Sequence, residues 1–218
     1  MRCVTHGSAA AGLIVLGNAY DYVSRTHPRT VRRLAGRHQS QQAREAAEQR
    51  LRSIVQAYDA VSSLTLRLLT VEDVCAGGGG WAFTTEYEYK MSCTLYVTSY
   101  YSVQGDVGDV LDEILAASDR PGSPISCSRT TLLPDAREGG QLLSVGQTLL
   151  WDTPRCAVEE PRPCMRQQND PPVYRCLREP ADLTMAAIRQ TYGTVLRLDL
   201  NPVEYFRVGK HGETFTKS

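Results

Sequence analysis

Apolar residues change period several times along this chain, and each change marks a predicted element. From Gln41 they recur at three- and four-residue spacing, at Ala43, Ala47, Leu51, Ile54, Val55, Tyr58 and Val61, with Arg44, Glu45, Glu48, Arg50 and Arg52 between them. That spacing places one apolar stripe on a helix and predicts a helix over 41–61 with Ser40 as its N-cap. The run Cys93 to Tyr101 alternates with period two instead. Cys93, Leu95, Val97, Ser99 and Tyr101 share the more apolar face, and Thr94, Tyr96, Thr98 and Tyr100 share the other. Branched and flat side chains fit a pleated surface, so a strand is predicted here with its first face toward the core. The stretch Glu86 to Lys90 also alternates and begins either this strand or its hairpin partner.

Shorter signals fill in the rest. Leu64–Leu68 alternates as a short strand, and Asp106 or Gly108 caps a predicted helix over 109–117, with Val110, Leu111, Ile114 and Leu115 as its apolar face. Gln141–Trp151 reads as one or two strands. A helix over 181–192, stopped by Gly193, precedes a predicted hairpin: strand Thr194–Leu200, a turn at Asn201-Pro202, strand Val203–Val208. The glycines at 77–80 lack the Lys-Ser/Thr that follows a phosphate loop, so they predict a flexible hairpin or disulfide loop. Asp152–Pro180 holds six of the eleven prolines and three of the seven cysteines. Proline blocks regular pairing, which predicts a long loop needing staples. The sum is an α+β fold, a mostly antiparallel sheet with helices packed on one face and disulfide-stapled loops. Its domains are a leader or truncated membrane segment plus basic arm at 1–38, then a single domain at 39–218 with the Pro/Cys-rich excursion at 152–180.

A chain of 218 residues with 42% hydrophobic content can bury one sizeable core. Its net charge is zero but uneven. Residues 1–52 hold nine Arg against three acids (+6), and residues 53–218 hold 15 Lys/Arg against 21 acids (−6). The acidic body argues against a nucleic-acid partner. The arm at 20–38 is polar and basic without periodicity, which predicts a mobile linker or a segment lying on anionic lipid or nucleic acid. Before it, Ser8–Leu16 is apolar but too short to span a bilayer, and Gly17-Asn18-Ala19 satisfies the small-x-small rule of signal cleavage. A truncated membrane anchor would account for the same residues, and so would a buried segment of a cytosolic protein.

Cysteine usage sharpens the choice of compartment. With Cys3 removed by cleavage, Cys75, Cys93, Cys127, Cys156, Cys164 and Cys176 remain, an even set of disulfide candidates. No C-x-x-C pair is present, and His6, His27, His38 and His211 lie toward the chain ends, which argues against a structural zinc. Cys93 is either a buried thiol or bridged to Cys75, a link contributing roughly 3 kcal/mol in the chain-entropy model. An even set favours export over a cytosolic domain with reduced cysteines.

Two classes of function fit. One is a non-enzymatic extracytoplasmic binding or envelope-associated domain with a protein or glycan partner. Its candidate recognition face is Tyr87, Tyr89, Tyr96, Tyr100 and Tyr101, because aromatic faces with polar tips suit recognition. The other is a hydrolase using carboxylates such as Asp73, Glu86 and Glu88. A Ser-His-Asp site needs a histidine, and the 172 residues between His38 and His211 contain none. No cofactor signature is present.

One resemblance bears on this choice. A basic N-terminal segment, a helix, a cysteine before a loop, the strand Cys93–Tyr101 and a Gly105-Asp106 step into a short helix together resemble a group of uncharacterised actinobacterial proteins, often membrane-anchored. The likeness covers about a third of the chain. It implies an extracytoplasmic α+β domain whose first cysteine pair bridges, and it implies no activity. This chain departs from the pattern in its short leader and in the cysteine-rich 152–180 loop.

Overall fold

The computed structural model describes residues 23–24, 26–80, 89–127, 140–165 and 170–216. The leader, the cleavage motif, Cys3, Glu86, Tyr87 and Glu88 lie outside them. The chain runs β1 (Val23–Ser24), α1 (Pro28–Ala35), α2 (His38–Asp59), β2 (Leu64–Gly77), β3 (Gly79–Gly80) and β4 (Tyr89–Val103). It continues with α3 (Val107–Ser118), β5 (Gln141–Ser144), β6 (Gln147–Trp151), β7 (Val173–Glu179), α4 (Met185–Tyr192), β8 (Val195–Gly209) and β9 (Thr214–Thr216). One seven-stranded sheet has the order β5-β6-β8-β4-β2-β7, with β9 added to β8, and every pairing in it is antiparallel. The fold is α+β.

Alternation along β4 decides which side chains go where. Met91, Cys93, Leu95, Val97 and Tyr101 are buried on the inner face, opposite the stripe Ala47, Leu51, Val55 and Tyr58 of α2. Each fully buried large apolar side chain there contributes about 1.5–3 kcal/mol. The Tyr101 hydroxyl donates to the Val55 carbonyl at 3.0 Å, which pins α2 to the sheet. α3 adds Val110, Leu111, Ile114 and Leu115 to the same core, and Asp106 caps it by accepting from the Gly108 N–H at 2.7 Å. Cys75 sits directly across from Cys93 in the β2–β4 register, and the two are bridged. Helices α1, α2 and α3 thus cover the inner face. The short α4 lies on the outer face, where Met185 and Ile188 pack with Leu68, Tyr100, Val158 and Val195.

Several elements depart from the expectations. The predicted arm contains α1, an amphipathic helix started by Pro28 and by a His27 side chain accepting from the Arg29 N–H. Its only large apolar residues, Val31 and Leu34, are three apart and both buried, too few for periodicity to register. Ser40 is not a cap; it is buried within α2, whose N-cap is Arg37. The glycine run lies in the loop that the Cys75–Cys93 disulfide closes, as the second alternative expected, but it is extended: β2 ends at Gly77, and Gly79–Gly80 pair with Val23–Ser24. Asn201-Pro202 is no hairpin turn, because β8 runs through it. One extra residue opens the β4–β8 register there, and Pro202 falls in the gap between the β6 partner Leu200 and the β9 partner Phe206, where no N–H is required.

Gly78 has no room for a side chain between the ends of β2 and β4. Its N–H donates to the Lys90 carbonyl at 3.1 Å, and an added Cβ would lie 2.0 Å from the Tyr89 carbonyl oxygen. Gly78→Ala is therefore expected to cost about 1–3 kcal/mol by overpacking, read as a lower urea midpoint; an unchanged midpoint would show that the two strand ends are not held together.

Candidate functional site

The outer sheet face carries the side chains that alternate away from the core. Thr70, Glu72 and Val74 come from β2, Tyr96, Thr98 and Tyr100 from β4, Arg197 and Asp199 from β8, and Tyr174 from β7, where it pairs with Val74. α4 covers one end of this face, and the proline-rich excursion crosses the rest.

Three tethers hold the excursion in place. Asp152 at its start accepts from Arg189 Nε and Nη2 at 2.9 and 2.8 Å, from the Val158 N–H at 2.7 Å and from the Val195 N–H at 2.9 Å. Arg189 also donates to the Val158 carbonyl. In the middle, Glu160 accepts from Arg178 Nη2 at 2.6 Å and from the Met185 N–H at 2.7 Å, a carboxylate at the start of α4 as the helix dipole favours. Arg178 also donates to the Leu183 carbonyl. Third, the Cys164–Cys176 disulfide bonds the excursion to β7 on the same face. Proline and these anchors together remove the freedom that a segment of this length would otherwise keep.

Between excursion and sheet lies a groove of about 660 Å³, within the usual range of ligand sites. Among the described residues its charged lining is Glu72, Glu159, Glu160 and Asp170 against Arg162 and Arg197. Arg197 Nε donates to Asp199 Oδ1 at 2.8 Å, and Thr98 Oγ1 donates to the same oxygen at 2.8 Å. Tyr96 is 43% exposed in the groove. Burial pushes the Tyr100 hydroxyl up to about 12 against the opposing pull of Arg197. Burial also raises the Tyr174 hydroxyl, with Glu72 and Asp170 adding to it. Both tyrosines are thus neutral hydrogen-bond donors at ordinary pH.

Structure redistributes the expected recognition face. Tyr96 and Tyr100 do share the groove side, although Tyr100 is 1% exposed and serves as floor. Tyr101 points into the core, and Tyr89 stands beside Arg207, whose guanidinium carbon is 5.4 Å from its ring centre. The sequence reading missed Tyr174. Val173–Glu179 lay inside a segment expected to be loop throughout, although its alternating side chains form β7; the flanking prolines masked the pattern.

The cysteines divide similarly. Cys75–Cys93 and Cys164–Cys176 are bridged, and Cys156 is disulfide-bonded as well. Cys127, expected in the disulfide set, is a buried free thiol. It packs as a small hydrophobe 3.3 Å from the Tyr58 hydroxyl, which donates to Gln147 Oε1 at 2.7 Å; burial pushes its pKa up. Among the described residues, no group of three or more His, Cys, Asp or Glu is placed to hold a metal ion, and no helix is long and apolar enough to cross a membrane. No protein-family model, curated protein or solved structure matches this chain.

Asp73, the one carboxylate of the hydrolase reading that is described, is buried on the inner face and accepts from the Tyr205 hydroxyl at 2.8 Å. It does not line the groove. Burial raises its pKa, opposed by the Tyr205 hydrogen bond and by Arg44 and Arg175. The folded state therefore keeps this proton to higher pH than the unfolded chain does. Its contribution to stability is full in acid and is lost as pH rises through the raised folded value. Asp73→Asn keeps an acceptor for Tyr205 and removes the charge. Its melting temperature is expected to exceed that of the parent at neutral pH and to converge with it in acid; a lower value at neutral pH would contradict the sign.

Proposed function

We propose that this chain is an extracytoplasmic, non-enzymatic binding or envelope-associated domain whose ligand site is the groove on the outer sheet face. One observation carries the reading: a disulfide clasps a charged loop over an otherwise open, tyrosine-bearing sheet face. Disulfides persist in oxidising compartments, and a long surface loop held on a rigid scaffold is the usual place for recognition. A protein or a glycan suits such a lining. The hydrolase reading is weaker, because Asp73 is spent on a buried hydrogen bond to Tyr205 on the opposite face. On this reading the export signal or the membrane association lies in the residues ahead of β1, since α1 belongs to the folded core.

Location is tested in cells making the full chain with its own N-terminal segment. Protease added outside the cytoplasmic membrane is expected to digest it; a chain that stays intact and fractionates with cytosolic markers would overturn the proposal. The clasp is tested by Cys164→Ser with Cys176→Ser. The bridge spans a sequence separation of 12, so the variant is expected to lose up to about 3 kcal/mol of stability while keeping cooperative unfolding. Unaltered stability would mean that the excursion is held by its ion pairs alone.

A further inference from the structure

We propose that α1 rests on a membrane surface, its exposed arginines seated among anionic lipid headgroups. The contact goes beyond what the residues ahead of β1 supply, and it uses none of the groove residues. At about 100° of turn per residue, Arg29, Arg32 and Arg33 share one side of α1, opposite the buried Val31 and Leu34. Arg37 follows directly after the Gly36 cap, and all four arginines are exposed. Among the described residues, no carboxylate lies within ion-pairing distance of any of them. Only Arg32 makes a side-chain hydrogen bond there, from its Nε to the Pro172 carbonyl at 3.2 Å. From Thr26 to Arg44 the chain holds five Arg and two His but no Asp or Glu.

The chemistry of this face selects its partner. A guanidinium meets a phosphate through two parallel N–H donors, and a cluster of four to eight basic residues on an amphipathic helix suits anionic lipid. The outward positions of α1 and its cap are Arg29, Arg32, Arg33 and Gly36, with no apolar side chain among them. A protein interface needs a core poor in charge and sealed from water, which this face lacks. With eight residues, α1 is about 12 Å long. It therefore reaches few phosphates of a nucleic-acid duplex, where affinity is summed over many contacts. Lipid headgroups, free to move in their plane, gather under the cations instead. Val31 and Leu34 bury α1 in the core on the inner side of the sheet, so a lipid surface here does not compete for the groove on the outer side.

The test is co-sedimentation of the full chain with phosphatidylcholine vesicles made with and without phosphatidylglycerol. Binding is expected only where the anionic lipid is present, weakening as salt is added. Arg29→Gln, Arg33→Gln and Arg37→Gln are each expected to lower partitioning about fivefold. Their melting temperatures should stay at the parent value, because all three side chains are exposed. Lysine at the same three positions keeps the charge and is expected to retain most of the binding. Arg155→Gln, an exposed arginine of the excursion, is expected to leave binding unchanged. Equal binding to neutral vesicles, no binding, indifference to the three glutamine variants, or an equal loss with Arg155→Gln would overturn the inference. A DNA duplex or polyglutamate that outcompetes the vesicles at equal concentration of anionic groups would also overturn it, by giving the face to another partner. None of these outcomes decides whether the groove is a ligand site, and the protease test of location stands apart from them.

Discussion

The pairing of β2 with β4 is the constraint on which the rest of this structure depends. Their register runs from Leu64↔Val103 to Gly77↔Met91 and assigns each residue of both strands to one of two opposite faces. A slip of one residue would exchange those faces, sending Tyr96 and Glu72 into the core and Tyr101 and Val71 out of it. The Cys75–Cys93 bridge joins directly opposed residues on the inner face and so opposes such a slip. A bulge between Leu66 and Leu68 absorbs the one irregularity in the pairing.

From that register follows a sheet with two unlike surfaces. On the inner side, α2 and α3 form a continuous apolar core that also takes in β6 and β8. On the outer side, only a small cluster around Tyr100 is covered, and the remaining area is walled by a segment poor in regular structure. The groove therefore exists because the outer face is only partly filled. Asp152 and Glu160 fix its wall through bonds to residues 25–43 positions away, and the second disulfide ties that wall to β7.

Where one periodicity governs a long stretch, the sequence is legible. The stripe from Ala43 to Tyr58 and the alternation from Cys93 to Tyr101 anticipated α2 and β4, and the antiparallel α+β class with them. Where local signals compete, it is not. The prolines around Val173–Glu179 hid a strand, two apolar residues were too few to reveal α1, and Asn201-Pro202 imitated a turn within a strand that bulges. Half of the candidate site was readable in principle: alternation alone separates Tyr96 and Tyr100 from Tyr101, which the aromatic grouping had joined. Its other half was not: the prolines hid the strand that carries Tyr174, and the acids of the excursion reach the groove through long-range tethers that leave no local pattern.

The central claim is that two bridges act on opposite faces of one sheet, one fixing the register and the other holding the groove wall. Peptide mapping of the purified chain by mass spectrometry without reductant, after alkylation of free thiols, tests it most directly. The account requires cross-linked peptides joining Cys75 to Cys93 and Cys164 to Cys176, with the Cys127 thiol alkylated. Alkylated Cys75 or Cys164, or a bridge from either to another cysteine, would contradict it.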